Sequence, residues 1–250
     1  MQAVIAKAMS NIADKETPVI SSELLCGNPF FGGQGSGVYA ERLYRIAPEA
    51  KILISIRSQL RVLPSVYMQY ISRGGTMTYK QFFQSDIHLG YFGFDPSHFE
   101  YDLLVSHYQK LFGVENVHIL TQESLRSDMM EAVTRLAEFS DNRIFDGLIE
   151  GADKARMASY PEHAAPFLRR VNHVQRSTLN PAPIFRLGEN PGGLYRAVGY
   201  VLKQRWACSL LKNYRPVSAF VQEYFKGRFS DSNARLAKLV PPSLDMSDYT

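Results

Sequence analysis

Arg57 stands at the carboxyl end of an apolar run, Lys51 to Ile56, and Ser65 follows it eight positions later. A guanidinium is a permanently charged, two-pronged donor that matches a phosphate. A serine near a helix start adds a hydroxyl to free backbone N–H groups and the positive end of the helix dipole. Together they form a means of holding a dianionic phosphate, and in an open parallel sheet ligands sit just beyond strand ends. On the local pattern alone, a surface ion pair and a helix cap account for the same two residues equally well. Arg61 and Arg73 fit a solvated helix face. Glu23, in Ser21-Ser22-Glu23, closes an earlier apolar run and has the chemistry of a general base. Its alternative is a carboxylate that caps the next loop. The stretch Gly32-Gly33-Gln34-Gly35-Ser36-Gly37 precedes a helix but lacks a terminal Lys-Ser or Lys-Thr, and no apolar strand runs into it. A mobile loop is expected there rather than a phosphate cradle.

These residues need a scaffold. Residues 1–13 read as a helix, 18–25 as a strand, and 38–46 as a helix stopped near Pro48. The run 51–57 is a second strand. Pro64 is expected at the first position of the following helix, where proline is tolerated, which would place Ser65 in the first turn. Residues 79–84 read as a short helix and 86–97 as a loop in which Tyr91, Phe92 and Phe94 are candidates to line an acceptor pocket. A helix over 98–112 is closed by Gly113, and 117–121 is a third strand. The apolar spacing of Met129, Val133, Leu136 and Ala137 marks a helix over 124–140. Residues 141–193 are less regular, and helices follow over 194–211 and 218–239, with a kink near 227–230. Strands alternating with helices imply an α/β fold with a parallel sheet covered on both faces.

Composition agrees with a folded domain. The chain has 250 residues, 45% hydrophobic and 21% charged, with a formal net charge of +4. That length suits a single α/β domain over 1–250. The mild positive charge suits an anionic small molecule and is too low to imply nucleic acid. The two cysteines, Cys26 and Cys208, form no Cys-Xaa-Xaa-Cys pair, so reduced, buried thiols are expected. The six histidines (88, 98, 107, 118, 163 and 173) show no metal-ligand spacing. No apolar run approaches transmembrane length and no signal peptide is apparent, so a cytoplasmic protein without a membrane span is expected.

Arg57 with Ser65, then Tyr67, Tyr70, Gly74 and the pair Phe82-Phe83, resemble the 3′-phosphate-binding segment of the sulfotransferases. The likeness extends to Tyr101–Glu123, similar to that family's helix–Phe-Gly–strand–Glu segment, and to Glu123-Ser-Leu-Arg-Ser-Asp128. It ends with Ser232-Asn233-Ala-Arg-Leu236 and the tail around Leu244, Asp245 and Met246, which are similar to the end of bacterial members. The resemblance implies a P-loop-NTPase-like sulfotransferase fold, with a three-layer parallel sheet flanked by helices. It implies 3′-phosphoadenosine 5′-phosphosulfate (PAPS) as co-substrate, no metal, and a hydroxyl or amine acceptor on a carbohydrate, lipid or small metabolite. Arg57 and Ser65 would bind the 3′-phosphate and Glu23 would take the acceptor's proton. Ser21 and Ser22 would orient Glu23 or touch the sulfuryl oxygens. Ser232 and Asn233 would help close the nucleotide pocket, with helix capping as their alternative. Arg170, Asn172, Arg176 and Asn180 would contact nucleotide or acceptor, or form a surface loop, and Glu123 would be structural. The family's opening strand and Lys-Ser/Thr-Gly-Thr-Thr loop have no counterpart in residues 1–17. An N-terminally incomplete fold, lacking its first βα unit and with little or no turnover on its own, is therefore expected. A non-catalytic nucleotide-binding or interaction protein of the same fold is the rival expectation.

Overall fold

The computed structural model describes residues 10, 16–22, 25–30, 33, 35–85, 93–152 and 160–249. Its contacts divide the chain into two compact units, Met1–Ser58 with Pro96–Lys154 and Gly227–Thr250, and Gln59–Asp95 with Ala155–Lys226.

The first unit holds the sheet. Strand β1, Ile52–Ile56, and strand β2, Val117–Thr121, run parallel in a register that sets Ile52 beside Val117 and Ile56 beside Thr121. Helix α1, Ser36–Ile46, packs on helix α4, Tyr101–Phe112. Along α4, Tyr101, Val105, Tyr108 and Phe112 fall on one stripe at helical spacing, and all four are buried. The stripe covers the strands, and each such aliphatic or aromatic side chain contributes about 1.5–3 kcal/mol. Gly113 ends α4 at φ 88°, a backbone shape that costs glycine nothing. After β2 come α5, Gln122–Ser127, and α6, Met129–Phe139. The expected single helix over 124–140 is split because Asp128 leaves helical geometry and its side chain accepts the N–H of Glu131 at 2.9 Å, capping a fresh start.

Helix α11, Ser230–Leu236, docks on α4 through a polar seam centred on the buried Asp102 and Ser232. The Ser232 hydroxyl donates to Asp102 Oδ1 at 2.5 Å and Arg235 Nε donates to Oδ2 at 2.5 Å. Arg228 reaches Glu100 at 3.0 Å. Asp102 is buried, so these charge-assisted bonds compensate its desolvation.

The second unit is helical. Helix α2, Gln59–Ser72, packs against α10, Pro216–Tyr224, and α7, Ala165–Asn172. Helix α3, Tyr79–Gln84, opens with a capping box between Thr78 and Gln81. Its Phe82 and Phe83 join Tyr67, Tyr70, Phe94 and Phe225 in an aromatic core, with the Tyr70 and Phe82 centroids 4.8 Å apart. Helices α8, Gly193–Leu202, and α9, Arg205–Leu210, complete the unit. Gly74 has φ 93°, and a Cβ there would lie 2.0 Å from Ser177 Oγ, so only glycine fits this turn.

The expected architecture differs in further places, among them the helix expected over 194–211, which Lys203 and Gln204 divide into α8 and α9. Among the described residues the fold is α/β and mostly helical, with a two-stranded parallel sheet rather than the larger sheet expected. The strand expected over 18–25 is irregular through its described residues. Residues 18–22 are exposed, and among the described residues no strand pairs with their backbone. Pro64 does not open its helix, which begins five residues earlier at Gln59 and carries the proline inside it. Ser65 therefore lies in the second turn, away from the free N–H groups of the helix start. The kink near 227–230 is present as the turn between α10 and α11. The helix expected over 1–13 lies outside the described residues except for Ser10.

Candidate functional site at the strand ends

In a parallel pair both carboxyl ends emerge on one edge. Ile56 pairs with Thr121, so Arg57 and Ser58 leave β1 beside the point where Gln122 and Glu123 leave β2. Polar groups fix this edge. The Ser58 N–H donates to Glu123 Oε1 at 3.2 Å and the Tyr249 hydroxyl donates to Glu123 Oε2 at 3.0 Å. The Ser58 hydroxyl donates to the Asp248 carbonyl at 2.9 Å. The Tyr101 hydroxyl donates to the Arg57 carbonyl at 2.8 Å. Thr121, fully buried, caps α5 by accepting the Ser124 N–H at 3.1 Å.

The electrostatics keep both tyrosines as donors. Burial pushes the Tyr101 hydroxyl well above its ordinary pKa, although the Arg57 carbonyl contact opposes it. Burial, and then the Glu123 charge, raises Tyr249 further. The collar therefore consists of neutral hydroxyls around one carboxylate, with the half-buried Arg57 guanidinium on the residue that leaves the strand. It fixes the backbone at residues 57 and 58.

The other expected residues are distributed as follows. Arg57 belongs to the first unit and Ser65, exposed on α2, to the second. Glu23 lies outside the described residues, as do Gly32, Gln34, Tyr91 and Phe92. Ser21 and Ser22 are exposed. Phe94 is buried in the aromatic core rather than lining an open pocket. Arg61 and Arg73 lie on exposed helix surface.

The polar stretch from the end of α7 onward has structural work. Asn172 is fully buried, and its amide donates to the carbonyls of Ile71 and Gly75 at 2.8 Å each. Its own oxygen accepts from Asn190, and Asn180 donates to its backbone carbonyl, both at 2.9 Å. Arg176 pairs by backbone with the 188–190 segment, and Arg170 sits over the Phe167 ring. Ser232 spends its hydroxyl on Asp102, and Asn233 is buried beside it in α11. Both cysteines stand outside any disulfide and are half-buried rather than buried as expected. No group of His, Cys, Asp and Glu able to hold a metal occurs among the described residues.

Sequence reasoning missed Tyr249 and Ser58, and took Tyr101 only as part of a longer segment. No local spacing announces them, because each acts on a residue far away in the chain. Glu123 was expected to be structural, and it accepts the Ser58 N–H and the Tyr249 hydroxyl. Searches of protein-family models, of curated proteins and of solved structures find no match to this chain.

Proposed function

We propose that this chain is a sulfotransferase-like nucleotide-binding protein that holds the 3′-phosphate of a phosphoadenosine nucleotide through Arg57. The observation that supports the reading is the parallel pairing of β1 and β2. It sets a cation-bearing strand end beside a pinned backbone corner, in the order that the family resemblance requires. In the full reaction the sulfuryl S–O bond to the phosphate of PAPS breaks and a new bond forms to an acceptor hydroxyl or amine. Glu23 would take the acceptor's proton, and no metal is needed. The acceptor would be a carbohydrate or another small metabolite.

The test is calorimetric titration of the folded chain with 3′-phosphoadenosine 5′-phosphate and, separately, with AMP, which lacks the 3′-phosphate. Arg57→Ala should weaken binding of the bisphosphate by about 1.5–3 kcal/mol, a ten- to hundredfold change, and leave AMP unaffected. No binding by a folded chain, or equal binding by the variant, would overturn the reading. Turnover with PAPS should be slight, because no Lys-Ser/Thr-Gly-Thr-Thr loop is present to hold the leaving phosphate. Robust sulfate transfer would contradict that part.

A further inference from the structure

Charge is unevenly spread along this chain. Residues 163–222 carry nine Arg and Lys side chains and a single carboxylate, Glu189. The formal charge of this stretch therefore exceeds the +4 of the whole chain, and the remainder is net acidic. All of the stretch belongs to the second unit.

The same stretch exposes apolar side chains at helical spacing. On α8, Leu194, Ala197, Val198 and Val201 follow an i, i+3, i+4, i+7 pattern, whereas Tyr195 and Gly199 face inward and are buried. Ala197, Val198 and Val201 join Phe167 of α7 in lining a shallow hollow of about 280 Å³. Tyr200 is 69% exposed, Trp206 63% and Leu210 77%. Trp206 and Leu210 lie one turn apart on α9. Between and beside them stand Arg196, Lys203, Arg205, Lys212 and Arg215, with no acidic residue between Glu189 and Glu223.

We infer that helices α8 and α9 form a docking surface for an anionic lipid bilayer, lying in the plane of the headgroups without spanning them. Two properties select this occupant. Basic side chains beside an exposed amphipathic helix face are drawn to anionic headgroups. Exposed Trp and Tyr next to Leu and Val match the headgroup–acyl boundary, where rings with one polar edge settle. A nucleic acid would use the cations but gives no role to exposed Leu210, Val201 and Leu194. A protein partner or a second copy would cover the apolar face but does not account for the near-absence of carboxylates. No helix among the described residues is long and apolar enough to cross a membrane, so the contact is peripheral.

Trp206 is the chain's only tryptophan and sits within this surface, so its emission reports the contact directly. The experiment mixes the full chain with vesicles of phosphatidylcholine alone, or of phosphatidylcholine with about a third phosphatidylserine. Cosedimentation and emission are read together. The chain should sediment with the phosphatidylserine vesicles only, its emission should shift to the blue, and brominated acyl chains should quench it. Arg205→Glu combined with Lys212→Glu should lower the partition coefficient by roughly tenfold or more. Leu210→Asp should abolish the blue shift. Each replaced side chain is exposed, so the thermal melts should match the parent. The inference is overturned if a folded chain ignores phosphatidylserine vesicles or if the variants bind like the parent. It is equally overturned if the blue shift appears without lipid as protein concentration rises, which would mean self-association. Binding to single-stranded RNA in place of vesicles would assign the cations to nucleic acid and sink it too.

Discussion

Glu123 organises the strand edge more than any other single side chain, and its value can be measured. Tyr249→Phe removes one hydroxyl and nothing else. A hydrogen bond to a charged acceptor in a part-buried site contributes about 1–2 kcal/mol, and urea unfolding should show that loss. Unchanged stability would mean that water replaces the hydroxyl. His118 supplies a pH-dependent test. It stacks on Phe139 at 5.0 Å, and burial, followed by the Arg135 charge, lowers its pKa below the ordinary 6.5. The unfolded chain therefore takes up this proton first. The neutral ring's contribution is complete above pH 6.5 and drains away as pH falls through the interval down to the folded value. His118→Gln should flatten this part of the stability curve between about pH 7 and 5. An identical slope in the variant would assign the acid sensitivity to other groups. At this scale the sequence was a partial guide. Arg57 and Glu123 were visible because strand ends are visible, whereas Tyr249 and Ser58 were not, because their partners are distant in the chain.

At the level of elements, the apolar pattern located β1 and β2 within a residue and the end of α4 at Phe112, with its start three residues early, because burial on one face imposes a period. It failed where polar side chains decide. Asp128 breaks one apolar stretch into α5 and α6 by capping, and Pro64 is accommodated inside α2 rather than starting it. Among the described residues no strand partners the apolar residues 18–20, which are exposed. The loop after α2 is held by Asn172, which reads as a surface residue in sequence and proves to be a buried linchpin. Asn172→Asp keeps the shape but aims a carboxylate at the Ile71 and Gly75 carbonyls. It should cost about 3–5 kcal/mol, more than Asn172→Ala, as judged by denaturant midpoints. A smaller loss for Asp than for Ala would show that the loop opens to admit water.

Over the whole molecule, chain path and spatial grouping diverge. The first unit draws on three stretches of sequence and the second on two, with passages from one to the other after residues 58, 95, 154 and 226. Composition cannot reveal this, since each stretch alone looks like part of an ordinary α/β chain. Charge does carry a trace of it, because the basic excess is concentrated in one unit. The interleaving also limits what cutting and splicing can achieve. Any continuous fragment that contains all of the first unit contains the second as well, and a fragment spanning the second carries β2 and α4 with it. Neither unit can be inherited, swapped or expressed as a cassette. A recombination event within this chain must keep both or damage both.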